Sequence, residues 1–194
     1  MLKKPLPTGE EPPKGYESLI RKKPLKDEVQ IDCAFISQLA KIELKEIESM
    51  RRLAFSGVSE LAGLTNEVLP FDQELDVLPN TEASDKLLFR ARKNKSLIGY
   101  ALVVTRWPHK DEWVIQHLIV HPKHRSQGVG TSLVKKIENY ALRSEVKATR
   151  ILAVPVEESG SLFWHNNGYL DESGRLPINV DGLDHELITY RKEL

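Results

Sequence analysis

The chain has 194 residues, 40% of them apolar and 29% charged. At roughly 150 residues per domain this suits one globular domain and excludes disorder throughout. Lys plus Arg and Asp plus Glu both number 28, so the global basic field of a nucleic-acid binder is absent, and so is a global acidic one. The one cysteine, Cys33, excludes an internal disulfide and a cysteine-rich zinc site and fits a reducing compartment. No apolar run approaches the roughly 18 residues of a membrane helix. The start, Met1-Leu2-Lys3-Lys4-Pro5, has no apolar stretch of a secretory signal behind it. The expectation is a cytoplasmic protein with no membrane and no nucleic-acid partner.

Residues 1–27 read as a polar leader. The first 26 residues hold five of the eleven prolines and seven Lys or Arg against three Glu. Proline fixes φ and removes a donor, so this stretch forms no regular structure on its own. A solvated tail or strand-edge arm is the plain reading, and docking to an acidic partner the sharper one. Residues 28–194 read as one domain. Val29 to Ile36 begins as an alternating run and reads as a strand, with Ser37 as the cap of a helix carrying Leu39, Ile42, Leu44, Ile47, Met50 and Leu53. Gly57 supplies its stop. Residues 58–84 read as a short helix and a loop, a candidate substrate-facing wall.

Lys86–Arg92 and Leu97–Val104 form a hairpin around a polar turn, and a second turn at Trp107–Asp111 leads to a strand from Trp113 to Val120. A helix from Val129 to about Ser144 places Leu133, Val134, Ile137, Tyr140 and Ala141 on one stripe. Thr149–Pro155 is the next strand, Ser159 caps a short helix ending at Asn166-Asn167-Gly168, and Tyr169-Leu170 and His185–Tyr190 complete the sheet around a loop at 171–184. The fold class is mixed α/β.

The segment from His121 to Thr131 carries the chemistry. A strand ends at Val120, and an irregular turn leads through Gly128 and Gly130 into a helix. Glycine lets an anion approach the backbone, and the first N–H groups of a helix lack internal partners at the positive end of its dipole. Such a junction can cradle phosphate, and Arg125 can add a bidentate cationic contact. It is not a Walker A loop, because no Gly-Lys-Ser/Thr follows, and it lacks the first glycine of the dinucleotide fingerprint. A glycine turn with no ligand and a generic nucleotide binder remain as alternatives. The histidines show no metal-like spacing, so no metal is expected.

The run Leu118 to Gly130 resembles the acetyl-CoA signature of the GNAT family of N-acetyltransferases, in which V-x-P-x-x-R leads into R/Q-x-x-G-x-G/A. Ser161-Leu162-Phe163-Trp164-His165-Asn166-Asn167-Gly168-Tyr169 resembles that family's short helix ending in F-Y-x-x-x-G-F. The resemblance covers roughly residues 28–194. It implies the GNAT acyl-CoA N-acyltransferase fold, a mostly antiparallel sheet with helices on both faces and a parallel pair that splays apart. Here the pair would be the strands ending at Val120 and near Pro155. It also implies acetyl-CoA as co-substrate, with pantetheine on the main chain of Leu118, Ile119 and Val120. The pyrophosphate would lie on Arg125, Ser126, Gln127, Gly128, Val129, Gly130 and Thr131. The implied activity is direct acetyl transfer to a primary amine of a small molecule or protein. An acyl-CoA-binding module with little activity is the alternative, and a homodimer through the C-terminal strand is left open.

Acyl transfer needs a base for the amine, a polarised thioester carbonyl and a proton for the departing sulfur. A backbone N–H near Leu118–Val120 can polarise the carbonyl. Many family members carry a tyrosine acid where this chain has Trp164, and indole is not an acid at neutral pH. Tyr169 reads as packing, and water or the ammonium product can protonate the sulfur. Gln116 and His117 are the catalytic candidates, Gln116 to hold a water and His117 to accept a proton. Glu157 is a further water-organising candidate. Strict alternation would put Val114, Gln116, Leu118 and Val120 on one face and Trp113, Ile115, His117 and Ile119 on the other.

Overall fold

The computed structural model describes residues 28–55, 85–153, 158–180 and 183–194. The elements run β1 (Gln30–Phe35), α1 (Lys41–Phe55), β2 (Lys86–Lys93), β3 (Ser96–Val104), β4 (Glu112–Val120), α2 (Val129–Arg143), β5 (Ala148–Ala153), α3 (Glu158–Asn166), β6 (Leu170–Val180) and β7 (Leu183–Glu193). The leader, the 58–84 wall, Pro155 and Glu157 lie outside the described residues. One seven-stranded sheet, in the order β1-β2-β3-β4-β5-β7-β6, carries the fold. All neighbours are antiparallel except β4 and β5. The mixed α/β class expected from the sequence is what the chain adopts.

The β2–β3 hairpin closes on Asn94 and Lys95, both at positive φ (51° and 69°), as a two-residue turn requires when its twist must match the strands. Amphipathic α2 lays Val129, Leu133, Val134, Ile137 and Ala141 on one sheet face, where they join Phe89, Ala101, Val103, Trp113, Ile115 and Ile151 in the main core. Trp164 of α3, with Tyr169 and Tyr190, belongs to that same core. The opposite face holds α1, whose Ile47, Met50 and Ala54 pack with Leu88, Tyr100, Leu102 and Ile119. Arg90 fastens α1 to the sheet through Glu43 and Asp32 (2.6 Å to Asp32), and Arg92 does so through Glu46 at 3.0 Å.

Three local expectations are corrected. Ser37 lies inside a short 3-10 turn, Ile36–Gln38, and α1 starts later. There the Glu43 carboxylate accepts the Ala40 N–H at 3.0 Å, the acidic half of a capping box without its hydroxyl half. Ser159 falls within α3, which begins at Glu158. Residues 171–180 and 183–184 lie in strands rather than a loop: β6 and β7 pair from Leu170↔Arg191 to Val180↔Leu183, with an irregularity between Asp171 and Arg175. Gly174 and Pro177 sit on β6, the edge strand of the sheet, where a missing donor is tolerated.

A fourth correction concerns β4. Its pairing with β3 steps from Leu102↔His117 to Val103↔Ile115, which leaves Gln116 as an extra residue. A bulge of this kind resets the alternation of side chains. Trp113 and Ile115 therefore share the α2 face with Leu118 and Val120, while Ile119 joins the α1 face.

Candidate functional site

Parallel pairing of β4 with β5 runs from Glu112↔Ala148 to Ile115↔Ile151 and then ends, although β4 continues to Val120 and β5 to Ala153. The two strands thus diverge toward their C-terminal ends. A Cβ built on Gly99 would lie 3.0 Å from the Ile119 carbonyl oxygen, so Ile119 turns its main chain toward β3. By backbone alternation Leu118 and Val120 turn theirs into the gap. An extended amide-bearing ligand can pair with such groups.

The turn after β4 leaves backbone N–H groups open at a helix start, a geometry that can accept an anion. Pro122–His124 form a 3-10 turn, with His121 Nδ1 accepting the Lys123 N–H at 3.2 Å. Ser126 (φ 58°) and Gly128 (φ 78°) then take left-handed conformations. Gly128 is the residue before α2, and the first bond inside that helix runs from Ser132 N–H to the Gly128 carbonyl at 2.9 Å. The N–H groups of Val129, Gly130 and Thr131 therefore have no acceptor within the helix. Arg125 Nε donates to the Val120 carbonyl at 3.3 Å, which pins the guanidinium beside this turn.

These features meet in one cavity of about 570 Å3. Leu118, Ile119 and Val120 line it from β4, Arg125 to Thr131 without Gln127 from the turn and α2, Gly160, Phe163 and Trp164 from α3, and Ala54 from α1. Ala54 belongs to the opposite sheet face from α2, so the cavity crosses the plane of the sheet through the gap between β4 and β5. No carboxylate is among its described lining residues, and Arg125 supplies a cation.

Nine of the ten residues expected to hold a cofactor thus come together. The exception, Gln127, engages its side chain with the Lys123 carbonyl at 2.9 Å and staples the turn. Ala54, His124, Gly160 and Phe163 line the cavity without having been singled out. The spacing of Gly160, Phe163 and Trp164 on one helix face was the available signal for α3. Gln116, the bulged residue of β4, and His117 after it lie outside this lining. Burial, then the charge of Arg51 on α1, pushes the His117 imidazole down to about 4, so at neutral pH it is uncharged.

Tyr169 is fully buried and its hydroxyl shares a 2.7 Å hydrogen bond with Thr149. Burial pushes its ionisation well above the ordinary tyrosine range, which makes it a packing residue. Trp164 is 8% exposed and meets Phe163 and Tyr169 edge-on at 4.8 and 5.3 Å between ring centroids. Cys33 is partly buried, and burial raises its thiol to about 11, which leaves it a poor nucleophile. No helix among the described residues is long and apolar enough to cross a membrane. Among them no group of three or more His, Cys, Asp or Glu is placed to hold a metal ion.

Residues 50–169 match the family model of the acetyltransferase (GNAT) family. Solved structures share the fold at low identity. The ribosomal-protein-S18-alanine N-acetyltransferase from Escherichia coli superposes with a TM-score of 0.62 at 13% identity, over 86% of this chain and 94% of that one. A probable acetyltransferase from Staphylococcus epidermidis ATCC 12228 gives 0.66 at 11% identity, over 86% and 99%. A GNAT family acetyltransferase from Elizabethkingia anophelis, with acetyl-CoA bound, gives 0.55 at 17% identity, over 87% and 99%. No curated protein matches the chain in sequence.

Proposed function

The chain belongs to the GNAT family of acetyltransferases, and from that premise we propose that it moves an acetyl group from acetyl-CoA directly to a primary amine. The observation that carries this reading is the coincidence of the cavity with the opening between β4 and β5, under the first turn of α2. The free N–H groups of Val129, Gly130 and Thr131, with Arg125, suit a pyrophosphate. The main chain of Leu118 and Val120 suits the amides of a pantetheine arm. The bound acetyl-CoA of the Elizabethkingia neighbour supports the same co-substrate.

On this reading the thioester carbonyl is polarised by a β4 backbone N–H, and the amine attacks its carbon. Gln116 holds a water beside the amine. His117, uncharged at physiological pH and outside the cavity lining, helps to order that water, which carries the amine proton away. The test is release of free thiol from acetyl-CoA in the presence of a panel of primary amines, with mass detection of the acetylated product. Thiol release matched mole for mole by an acetamide supports direct transfer. Binding of acetyl-CoA with no amine in the panel acetylated favours the alternative, an acyl-CoA-binding module.

A further inference from the structure

The cavity has two chemically different ends. Its polar lining, His124, Arg125, Ser126 and Thr131, belongs to the turn after β4 and the first turn of α2. On the other side of the sheet the described lining is aliphatic, Ile119 from β4 and Ala54 from α1. Ile47, Met50 and Ala54 recur at helical spacing, so they form one stripe of α1. That stripe packs with Leu88, Tyr100, Leu102 and Ile119, which turns the Ala54 methyl toward the sheet. Ala54 is 9% exposed and lies in the last turn of α1. Among the described residues, α1 reaches the cavity at Ala54 alone. A ligand whose pyrophosphate is held at the α2 end passes through the gap between β4 and β5, and its far end emerges beside this methyl.

We infer that Ala54 contacts the acyl group of the thioester and sets the length of acyl chain that the protein takes. The inference rests on the acetyl-transfer reading above and deepens it by naming the residue that selects the donor. The other members of the stripe, Ile47 and Met50, are long side chains that fill the space between helix and sheet. Alanine at the third position leaves that space open where the cavity emerges. An acyl chain has no polar group beyond its carbonyl. Neither Ala54 nor Ile119 carries a side-chain donor or acceptor, so selection at this end acts on size and apolar area. One methylene more or less in such a pocket changes recognition by about tenfold to 200-fold. His117 pairs with Leu102, a member of the same α1-side cluster. The water-ordering side of the proposed transfer is therefore the face on which the acyl group emerges.

The test is calorimetric titration of wild type, Ala54→Leu and Ala54→Gly with coenzyme A, acetyl-CoA, propionyl-CoA and butyryl-CoA, with no amine present. Coenzyme A lacks the acyl group and so reports the rest of the site. Ala54→Leu should bind coenzyme A within about twofold of wild type and lose affinity for the acyl species progressively, about tenfold for acetyl and about a hundredfold for butyryl. Ala54→Gly should shift preference the other way, with butyryl-CoA gaining about tenfold relative to acetyl-CoA. This second variant carries the test if leucine overpacks the interface of α1 with the sheet and the protein does not fold. Equal loss for coenzyme A and the acyl species in a folded Ala54→Leu overturns the inference alone, because Ala54 then borders the arm and not the acyl group. Unchanged affinities for all four ligands in either folded variant overturn it as well. Failure of wild type to bind coenzyme A and acetyl-CoA overturns the cofactor reading and this inference together.

Discussion

A methyl placed on Gly130 would lie 3.1 Å from Cε2 of Phe163. The first turn of α2 and the side of α3 therefore meet with no room between them. A Cβ on Gly128, by contrast, would touch nothing within 4 Å. The two glycines of the turn do different work. Gly130 permits close helix packing, while Gly128 supplies a left-handed residue (φ 78°) beside open space at the start of α2.

Substitutions should separate these roles. Gly128→Glu meets open space and incurs only the left-handed backbone cost of about 1–2 kcal/mol. Its carboxylate would still face the phosphate site, so acetyl-CoA affinity should fall at least about tenfold with a small loss of Tm. Gly130→Glu should lower Tm and affinity together, because Phe163 must move. Thermal melts and calorimetric titrations of both variants check this. Equal loss of Tm in the two would refute the division of labour.

The meander, α2 and the glycine turn were legible because each follows a local rule: alternation, a 3.6-residue stripe, and a strand–glycine–helix junction. The bulge at Gln116 was not, because it is a property of pairing with β3 and leaves no mark on the order of residues in β4. Missing it put His117 on the α2 face, although the strand turns Ile119, two residues on, toward α1. The β6–β7 hairpin was misread for a similar reason. Gly174 and Pro177 look like breakers, yet the register with β7 overrides local preference. In α3, phase was readable from Gly160, Phe163 and Trp164, but the closeness of Gly130 to Phe163 emerges only from packing.

His117 also predicts an acid sensitivity. Its folded-state value of about 4 lies below the ordinary 6.5, so the unfolded chain takes up the proton first as pH falls. The contribution is fully present above pH 6.5 and is lost between there and about 4, up to about 3 kcal/mol in size. Denaturant midpoints at about pH 7 and about pH 4.5 should fall further apart for wild type than for His117→Gln. Identical pH dependence in the two proteins would contradict the assigned burial.

Tyr169→Phe should leave the pH profile of transfer unchanged, since the hydroxyl is closed off by Thr149. It should cost about 1–2 kcal/mol of stability, because Thr149 is left without its partner in a buried site. Loss of an alkaline limb in this variant would instead make Tyr169 an acid.

Glu112 sits at the opposite end of β4 from the cavity. It is 6% exposed and bonds Arg150 at 2.6 Å and Arg191 at 3.1 Å. Burial alone would raise its carboxyl, but the two guanidiniums outweigh it and hold it below the usual range. Glu112→Gln removes the charge that both arginines face and should destabilise by about 3 kcal/mol. Acetyl-CoA affinity should not change, since the damage lies at the paired end of the β4–β5 wedge. Chemical denaturation and a binding titration on the same preparation separate the two quantities.

Calorimetric titration of the full chain with acetyl-CoA, with coenzyme A and ATP as comparisons, tests the assignment of the splayed cavity most directly. The account predicts stoichiometric binding of both coenzyme A species in the micromolar range and none of ATP. Binding of neither coenzyme A species, or equal binding of ATP, would contradict it.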